Sequence, residues 1–375
     1  MIILLAVLLV ALLAFANGAN DNSKGVATLV GYGAASPRAA LIFAGLTTAI
    51  GAGLSFWLAG GLIAAFKTKL FATGTPLDTG FYVAVLIGAV GWIVFATYSG
   101  LPVSTTHAIV GGLIGAGLVA FGSHQILWSF LAYSVAVPLV LGPVISTVLV
   151  YALAWPVVAV SRRMANRCLC VIETATVVPG SGTIASLPLL PEMQIATGTL
   201  AECAAQGAAA AATTSATATA IHWTSGGLVG FARGWNDAPK IAALSIVALT
   251  AANIPNPAGI GFLIVTLAMA LGGLFAGRRV LETLAKKLTP LPLAESLTAS
   301  LTTAALVSAA SWMGMPVSTT HVSTGAIIGA GLKNNPAAVK WAKVIEIGLS
   351  WVITLPVAAL IAAAAMWAGH AWFHP

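Results

Sequence analysis

Charge is what this sequence has least of. Nine acidic and sixteen basic side chains make up 7% of its 375 residues, where a soluble globular domain carries roughly 25%. With 59% hydrophobic residues and a mean hydropathy of +0.99, most of the surface cannot face water, so the chain is a polytopic membrane protein. At ~20 residues per spanning helix, the apolar stretches accommodate roughly ten spans or broken spans. Strand-like alternation is missing too, which sets helices above a β-barrel. No basic face interleaved with aromatics accompanies the net charge of +7, so nucleic acid is excluded as a partner. Cysteine is also scarce. Cys168, Cys170 and Cys203 match no strong zinc spacing, and an odd count makes no disulfide framework. They read as unpaired thiols on a cytoplasmic segment, and no metal or cofactor is implied. A basic stretch at the start is lacking as well. Although Ala14-Phe15-Ala16 resembles a signal-peptidase site, residues 1–16 therefore read as a mature membrane helix.

What the sequence does have, it has twice. Phe15 to Lys24 reads FANGANDNSK, and FARGWNDAPK follows 216 residues later, from Phe231 to Lys240. Both obey F-A-x-G-x-N-D-x-x-K. A second pair, GLPVSTTH from Gly100 and GMPVSTTH from Gly314, recurs at an offset of 214. Twelve of the seventeen positions from Pro102 to Leu118 are repeated at Pro316 to Leu332. Two motifs in the same order mean that a whole structural half is duplicated.

Residues 1–160 form the first membrane repeat, with a helix that breaks near Gly18, spans at 39–64, 81–98 and 126–160, and a re-entrant hairpin at the first STTH string. The Gly-rich run Gly111 to Gly117 is short for a full crossing, which favours the hairpin. Residues 161–220, from the arginines through VVPGSGTIASLPLLPEM to an Ala/Thr run, read as a linker plus a small non-membrane insert, with room for short strands. Residues 221–375 repeat the plan: a span broken at Gly234 to Lys240, spans at 258–276 and 293–313 around a basic amphipathic loop, a second hairpin, and an apolar end. The basic clusters at 162–167 and 278–287 are placed on the cytoplasmic side. The loop at 66–80, counterpart of 278–287, holds only two lysines. That asymmetry fits halves of opposite orientation, an inverted-topology repeat. The expected class is thus an all-α polytopic membrane protein with broken helices and two re-entrant hairpins.

Asp21 and Asp237 lie within membrane helices, where an acidic residue costs ~2.5–3.5 kcal/mol and commonly marks an ion or substrate path. The plainer reading is a local pair with Lys24 or Lys240, three residues on and on the same face. Both can hold at once. Ser104, Thr105 and Thr106, and again Ser318, Thr319 and Thr320, place hydroxyls just before a Gly-rich helix, whose free N–H groups and positive dipole end suit a tetrahedral oxyanion. Capping and interhelical bonding are the alternative, but two such ends meeting at the midplane favour anion binding. Asn20 and Asn236 can orient the neighbouring Asp or ligate a cation. His107 and His321 read as packing residues before proton carriers. Gly111, Gly115, Gly117, Gly325, Gly329 and Gly331 suit close helix packing, and Glu295 is an outlying candidate for a proton site.

GANDNSKG, GWNDAPKI and the two PVSTTH strings resemble the duplicated signatures of the inorganic phosphate transporter (PiT) family. The likeness covers both membrane halves and leaves out the insert. It implies an inverted-repeat symporter that moves phosphate by a rocking or elevator-like motion. The compact length and the lack of nuclear or organellar signals suggest the prokaryotic cytoplasmic membrane. The family's substrate-lining positions correspond to Asp21, Asp237, Ser104 to Thr106 and Ser318 to Thr320. One departure is symmetrical. Where the family has Asn three residues after Asp, this chain has Lys24 and Lys240. In sodium-coupled members that region helps hold cations, so the two ammonium groups are expected to stand in for sodium and leave protons as the coupling ion. Sulfate, arsenate and sodium coupling stay open, as does a homodimer.

Two other classes deserve weighing. An intramembrane hydrolase using Ser104, His107 and Asp21 needs one triad, whereas every member here is duplicated, and Ser and His at this spacing are no evidence of a nucleophile–base bond. A channel would pass current without saturable coupled uptake.

Overall fold

The structure, a computed structural model, describes residues 1–58, 60–67, 69–164, 167–174 and 192–373. The Pro/Gly/Ser-rich string 177–193 lies outside the described residues save for its last two. The first half holds α1 (Ile2–Tyr32), α2 (Pro37–Leu58), α3 (Gly60–Lys67), α4 (Thr79–Tyr98), α5 (Thr105–Phe121), the single turn α6 (Trp128–Phe130) and α7 (Val137–Met164). A π-helical stretch, Leu131–Ala136, joins the last two into one run. The insert contributes β1 (Cys168–Thr174), β2 (Glu192–Gly198), α8 (Leu200–Ala205) and β3 (Ala208–Thr213). The second half holds α9 (Thr214–Ala251), α10 (Pro257–Ala276), α11 (Arg278–Lys286), α12 (Leu293–Trp312), α13 (Thr319–Asn334) and α14 (Trp341–Phe373).

Among the described residues, seven helices are long and apolar enough to cross a membrane. Leu46 and Ile50 on α2, Val140, Val144 and Val148 on α7, and Val352 and Leu360 on α14 point outwards and exposed. An apolar belt of this extent suits lipid rather than water. The protein is a multi-pass membrane protein.

The two halves pack by exchanging partners. α1 lies against α10 while α9 lies against α2, and α5 lies against α14 while α13 lies against α7. α1 and α9 cross antiparallel, with Gly25 beside Gly230, Asn22 beside Arg233 and Asn17 beside Asp237.

Four expectations change. First, neither signature helix is broken: α1 runs unbroken through Gly18 and α9 through Gly234. The glycines serve close approach instead. A Cβ on Gly18 would land on the Met269 carbonyl, and one on Gly234 on that of Thr48. Second, the basic loop is the helix α11, with Val280, Leu281 and Leu284 buried beneath its charges. Third, helix runs inside both ends of the 161–220 stretch read as a linker and insert, with α7 continuing to Met164 and α9 starting at Thr214. Its strands form one antiparallel sheet in the order β2-β1-β3. Fourth, Cys170 and Cys203 are joined in a disulfide, and Cys168 alone is free. Side chains two apart on a strand share a face, so Cys168 and Cys170 both turn towards α8, whose Cys203 closes that small core.

Four of the six glycines expected to serve helix packing in the STTH helices do so, while Gly117 and Gly331 meet the loop side chains Phe71 and Thr289. Gly111 and Gly115 lie against the backbone of α14, and Gly325 and Gly329 against that of α7.

Candidate functional site

The hairpin α4–α5 and its counterpart α12–α13 meet tip to tip beside α1 and α9. Each tip turns on a glycine with a left-handed backbone, Gly100 at φ 72° and Gly314 at φ 67°, a region L side chains rarely adopt. Pro102 and Pro316 follow, and the chain stays extended to Ser104 and Ser318. These two serines cap their helices: Ser104 Oγ accepts from the His107 N–H and Ser318 Oγ from the His321 N–H, both at 3.3 Å. The capping alternative therefore holds for them.

The tips reach across to the opposite repeat. Thr106 Oγ1 donates to the Val317 carbonyl at 3.4 Å, and Thr320 Oγ1 to that of Val103 at 2.6 Å. Thr105 accepts from Asn17 Nδ2 at 2.9 Å, and Thr319 is buried at the second tip.

Asp21, Lys24, Asp237 and Lys240 are all buried. Lys24 Nζ donates to Asp21, to the Thr320 hydroxyl, to Asn20 Oδ1 at 3.3 Å and to the Val103 carbonyl at 3.1 Å. Lys240 Nζ donates to Asp237 Oδ1 at 3.1 Å, to Thr106 Oγ1 at 2.8 Å and to the Val317 carbonyl at 2.9 Å. Each ammonium is thus ringed by a carboxylate of its own helix, a backbone carbonyl of its own repeat's tip and a threonine of the other tip. Every contact is an oxygen.

The asparagines divide in role. Asn236 donates to Asp237 Oδ1 at 3.0 Å and to the Val317 carbonyl. Asn20 binds the first tip instead, through Leu101 O, the Val103 N–H and Thr97 Oγ1. The rings of His107 and His321 lie 4.7 Å apart, and His321 Nδ1 bonds the Leu139 carbonyl at 3.1 Å. Glu295 is buried in the first turn of α12, away from these bonds.

Sequence reasoning missed Arg233. It is fully buried and occupies the variable place in F-A-x-G, where the first repeat has Asn17. Its Nη1 donates to Asn22 and to Thr48 Oγ1 at 3.0 Å, its Nη2 to Asn17, and its Nε lies 3.9 Å from Asp237. An arginine inside a membrane helix was the signal available.

Comparison with known proteins follows the same outline. A family profile described as "Phosphate transporter family" matches residues 17–362. The chain belongs to this family. A Pyrococcus abyssi protein named as a phosphate permease is 32% identical, with 96% of each chain covered. A Rhizobium meliloti protein named as a low-affinity inorganic phosphate transporter is 29% identical over 93% of this chain and 91% of that one. A solved structure titled "The sodium-dependent phosphate transporter" superposes with a TM-score of 0.72 at 25% identity, covering 98% of each chain. The matched family and these relatives are transporters, so the chain is a transporter and the hydrolase reading falls.

Proposed function

We propose that this protein is a secondary active symporter of inorganic phosphate, coupled to protons, in which Lys24 and Lys240 occupy the places that bound cations would take. The observation that carries this is the all-oxygen ring around each ammonium. Carboxylate, carbonyl and hydroxyl oxygens are the ligands a hard cation takes, and here a tethered charge fills both positions. The anion would meet Thr105, Thr106, Thr319 and Thr320 at the facing helix N-termini, with Ser104 and Ser318 fixing those ends. Asp21 and Asp237 hold the lysines in register. Counting ordinary ionisation states, three buried cations (Lys24, Lys240 and Arg233) face two carboxylates, which leaves one positive charge for the anion to neutralise. Antiparallel crossing of α1 and α9, with the exchanged packing partners, supports an inverted repeat that rocks about this centre.

The sodium dependence named in the related structure's title supplies the competing reading, sodium-coupled phosphate uptake, and sulfate is the competing cargo. Radiolabelled phosphate uptake into proteoliposomes, with imposed proton or sodium gradients and excess cold sulfate, separates them. Uptake driven by a proton gradient without sodium and insensitive to sulfate is the expected result. Strict sodium dependence would sink the role given to the lysines, and sulfate competition with little phosphate uptake would move the substrate.

A further inference from the structure

The two repeats differ in one systematic way, along the seam that leads outward from each lysine. On the Lys24 side, the hydroxyls of Thr28, Ser300, Thr303 and Ser323 line one part of a cavity of about 10 Å³ and Val229, Ala299 and Ile327 the rest, room for roughly one water molecule. Thr28 Oγ1 and Ser300 Oγ lie 2.8 Å apart, and His222 Nε2 reaches Thr28 Oγ1 at 3.1 Å. Ser296, Ser300 and Thr303 fall at i, i+4 and i+7 on α12, one face of the helix. The seam ends where α1 finishes and α12 begins, the end that also holds the start of α14: the Lys340 N–H bonds Leu288 O at 2.9 Å. Lys333, in the last turn of α13, and Lys340, just before α14, lie at that end, as does the buried Glu295 in the first turn of α12.

Three polar atoms on or next to this seam are enclosed and have no hydrogen-bond partner among the described residues: Ser296 Oγ, one turn from Ser300, His222 Nδ1, on the ring that bonds Thr28, and Thr324 Oγ1, beside Ser323. All three side chains are buried completely. Buried polar groups are nearly always bonded, so three orphans on one seam call for a guest that supplies the missing bonds.

The mirror seam, beside Lys240, is apolar save for Tyr82. At the repeat offset, Thr28 becomes Leu244, His222 becomes Ala6, Ser296 becomes Tyr82 and Ser300 becomes Leu86. Thr303 becomes Ala89, while Ser323 and Thr324 become Ile109 and Val110. Leu86, Ala89, Ile109, Val110 and Leu244 are buried in one apolar cluster. Of these seven paired positions the Lys24 seam carries hydroxyls at six, Thr28, Ser296, Ser300, Thr303, Ser323 and Thr324, and the mirror seam at Tyr82 alone.

We infer that the hydroxyl-lined seam from Lys24 past Thr28 and Ser300 to Ser296 is the closed passage through which the oxyanion and its hydrating water move between the site and that face, and that in this conformation the mirror seam is sealed by apolar side chains. The identity of the cargo as phosphate rests on the function proposed above; the polarity of the two seams does not. Hydroxyls replace part of an anion's water shell as it passes, and leucine and isoleucine cannot. In this conformation the passage is shut, and α12 must move away from α1 to open it.

Single cysteines test this in a Cys168→Ala background, using a charged, water-soluble methanethiosulfonate reagent on protein in proteoliposomes. Ser300→Cys should react at least about tenfold faster than Leu86→Cys, since only a hydrated thiol forms the reactive thiolate. Saturating phosphate should slow the reaction at Ser300→Cys. Equal rates, or faster reaction at Leu86→Cys, would overturn the assignment. Protection by sulfate but not by phosphate would overturn the cargo and leave the passage standing. Ser300→Leu gives a second readout that does not depend on the Leu86 variant folding. Uptake should fall about tenfold or more while phosphate affinity in detergent changes less than about threefold, because a passage wall acts on rate rather than binding. Equal loss of both would place Ser300 in the binding site and refute the passage.

Discussion

Replacing Lys24 by Asn removes one ammonium from its ring of oxygens and leaves the ring. Asp21 then keeps, among the described residues, only Asn17 Nδ2 at 2.9 Å and Thr105 Oγ1 at 3.5 Å. Breaking a buried ion pair by removing one partner costs ~3–5 kcal/mol, so the variant should unfold at a lower temperature in a buffer free of small cations. If the ammonium stands where sodium can sit, sodium should restore part of that loss. At a concentration 100 times its dissociation constant, a ligand bound only to the folded state returns ~2.7 kcal/mol. The assay is thermal unfolding in detergent, in sodium chloride against N-methylglucamine chloride at equal ionic strength. Wild type should be indifferent to the exchange, and Lys24→Asn and Lys240→Asn should each gain stability in sodium. Lys24→Met fills the space with an apolar chain and should stay indifferent. A Lys24→Asn protein that is destabilised yet unmoved by sodium would falsify the surrogate-cation argument.

Arg233→Asn restores the letter used by the first repeat and removes one buried positive charge; phosphate affinity should fall by about tenfold or more, since losing a charged partner costs ~1.5–3 kcal/mol. Isothermal titration would read this, and unchanged affinity would refute the charge count. Gly18→Val and Gly234→Val should each cost ~1–3 kcal/mol or block folding, because the added carbons meet backbone carbonyls that cannot retreat; monodisperse protein at wild-type yield would contradict the packing. Gly100→Ala and Gly314→Ala strain the hairpin tips by ~1–3 kcal/mol, and a phosphate affinity identical to wild type in both would argue against the tips touching the anion. In the insert, Glu202 accepts from the Thr199 N–H at 2.7 Å while Thr199 Oγ1 accepts from the Glu202 N–H at 3.2 Å. These bonds hold its carboxyl below the usual carboxylate range. The stability it lends is present above the unfolded value and lost as pH falls through the folded one, so amide exchange across Leu200 to Ala205 should quicken only in acid; exchange that shows no such step would remove the role.

What the sequence determined by itself was the class and the plan. Scarce charge and long apolar runs required a membrane protein, and two repeated motifs in one order required two like halves. Asp21, Lys24, Asp237 and Lys240 were legible because a charge inside an apolar helix stands out and because each appears twice. The i,i+3 pairing within each helix was legible for the same reason. What only the tertiary structure decided was everything that crosses between repeats. The reach of Lys24 to Thr320 and of Lys240 to Thr106 depends on the hairpins meeting tip to tip, and no local spacing encodes that. The glycines in the signatures read as helix breakers, yet they are contact points, since whether a glycine bends a helix or admits a neighbour depends on what packs there. Arg233 was visible as a letter but not as a partner of Asn17 and Asn22, which lie more than 200 residues away in the chain. The pairing of Cys170 with Cys203 likewise needed β1 and α8 to fold against each other before the two sulfurs became neighbours.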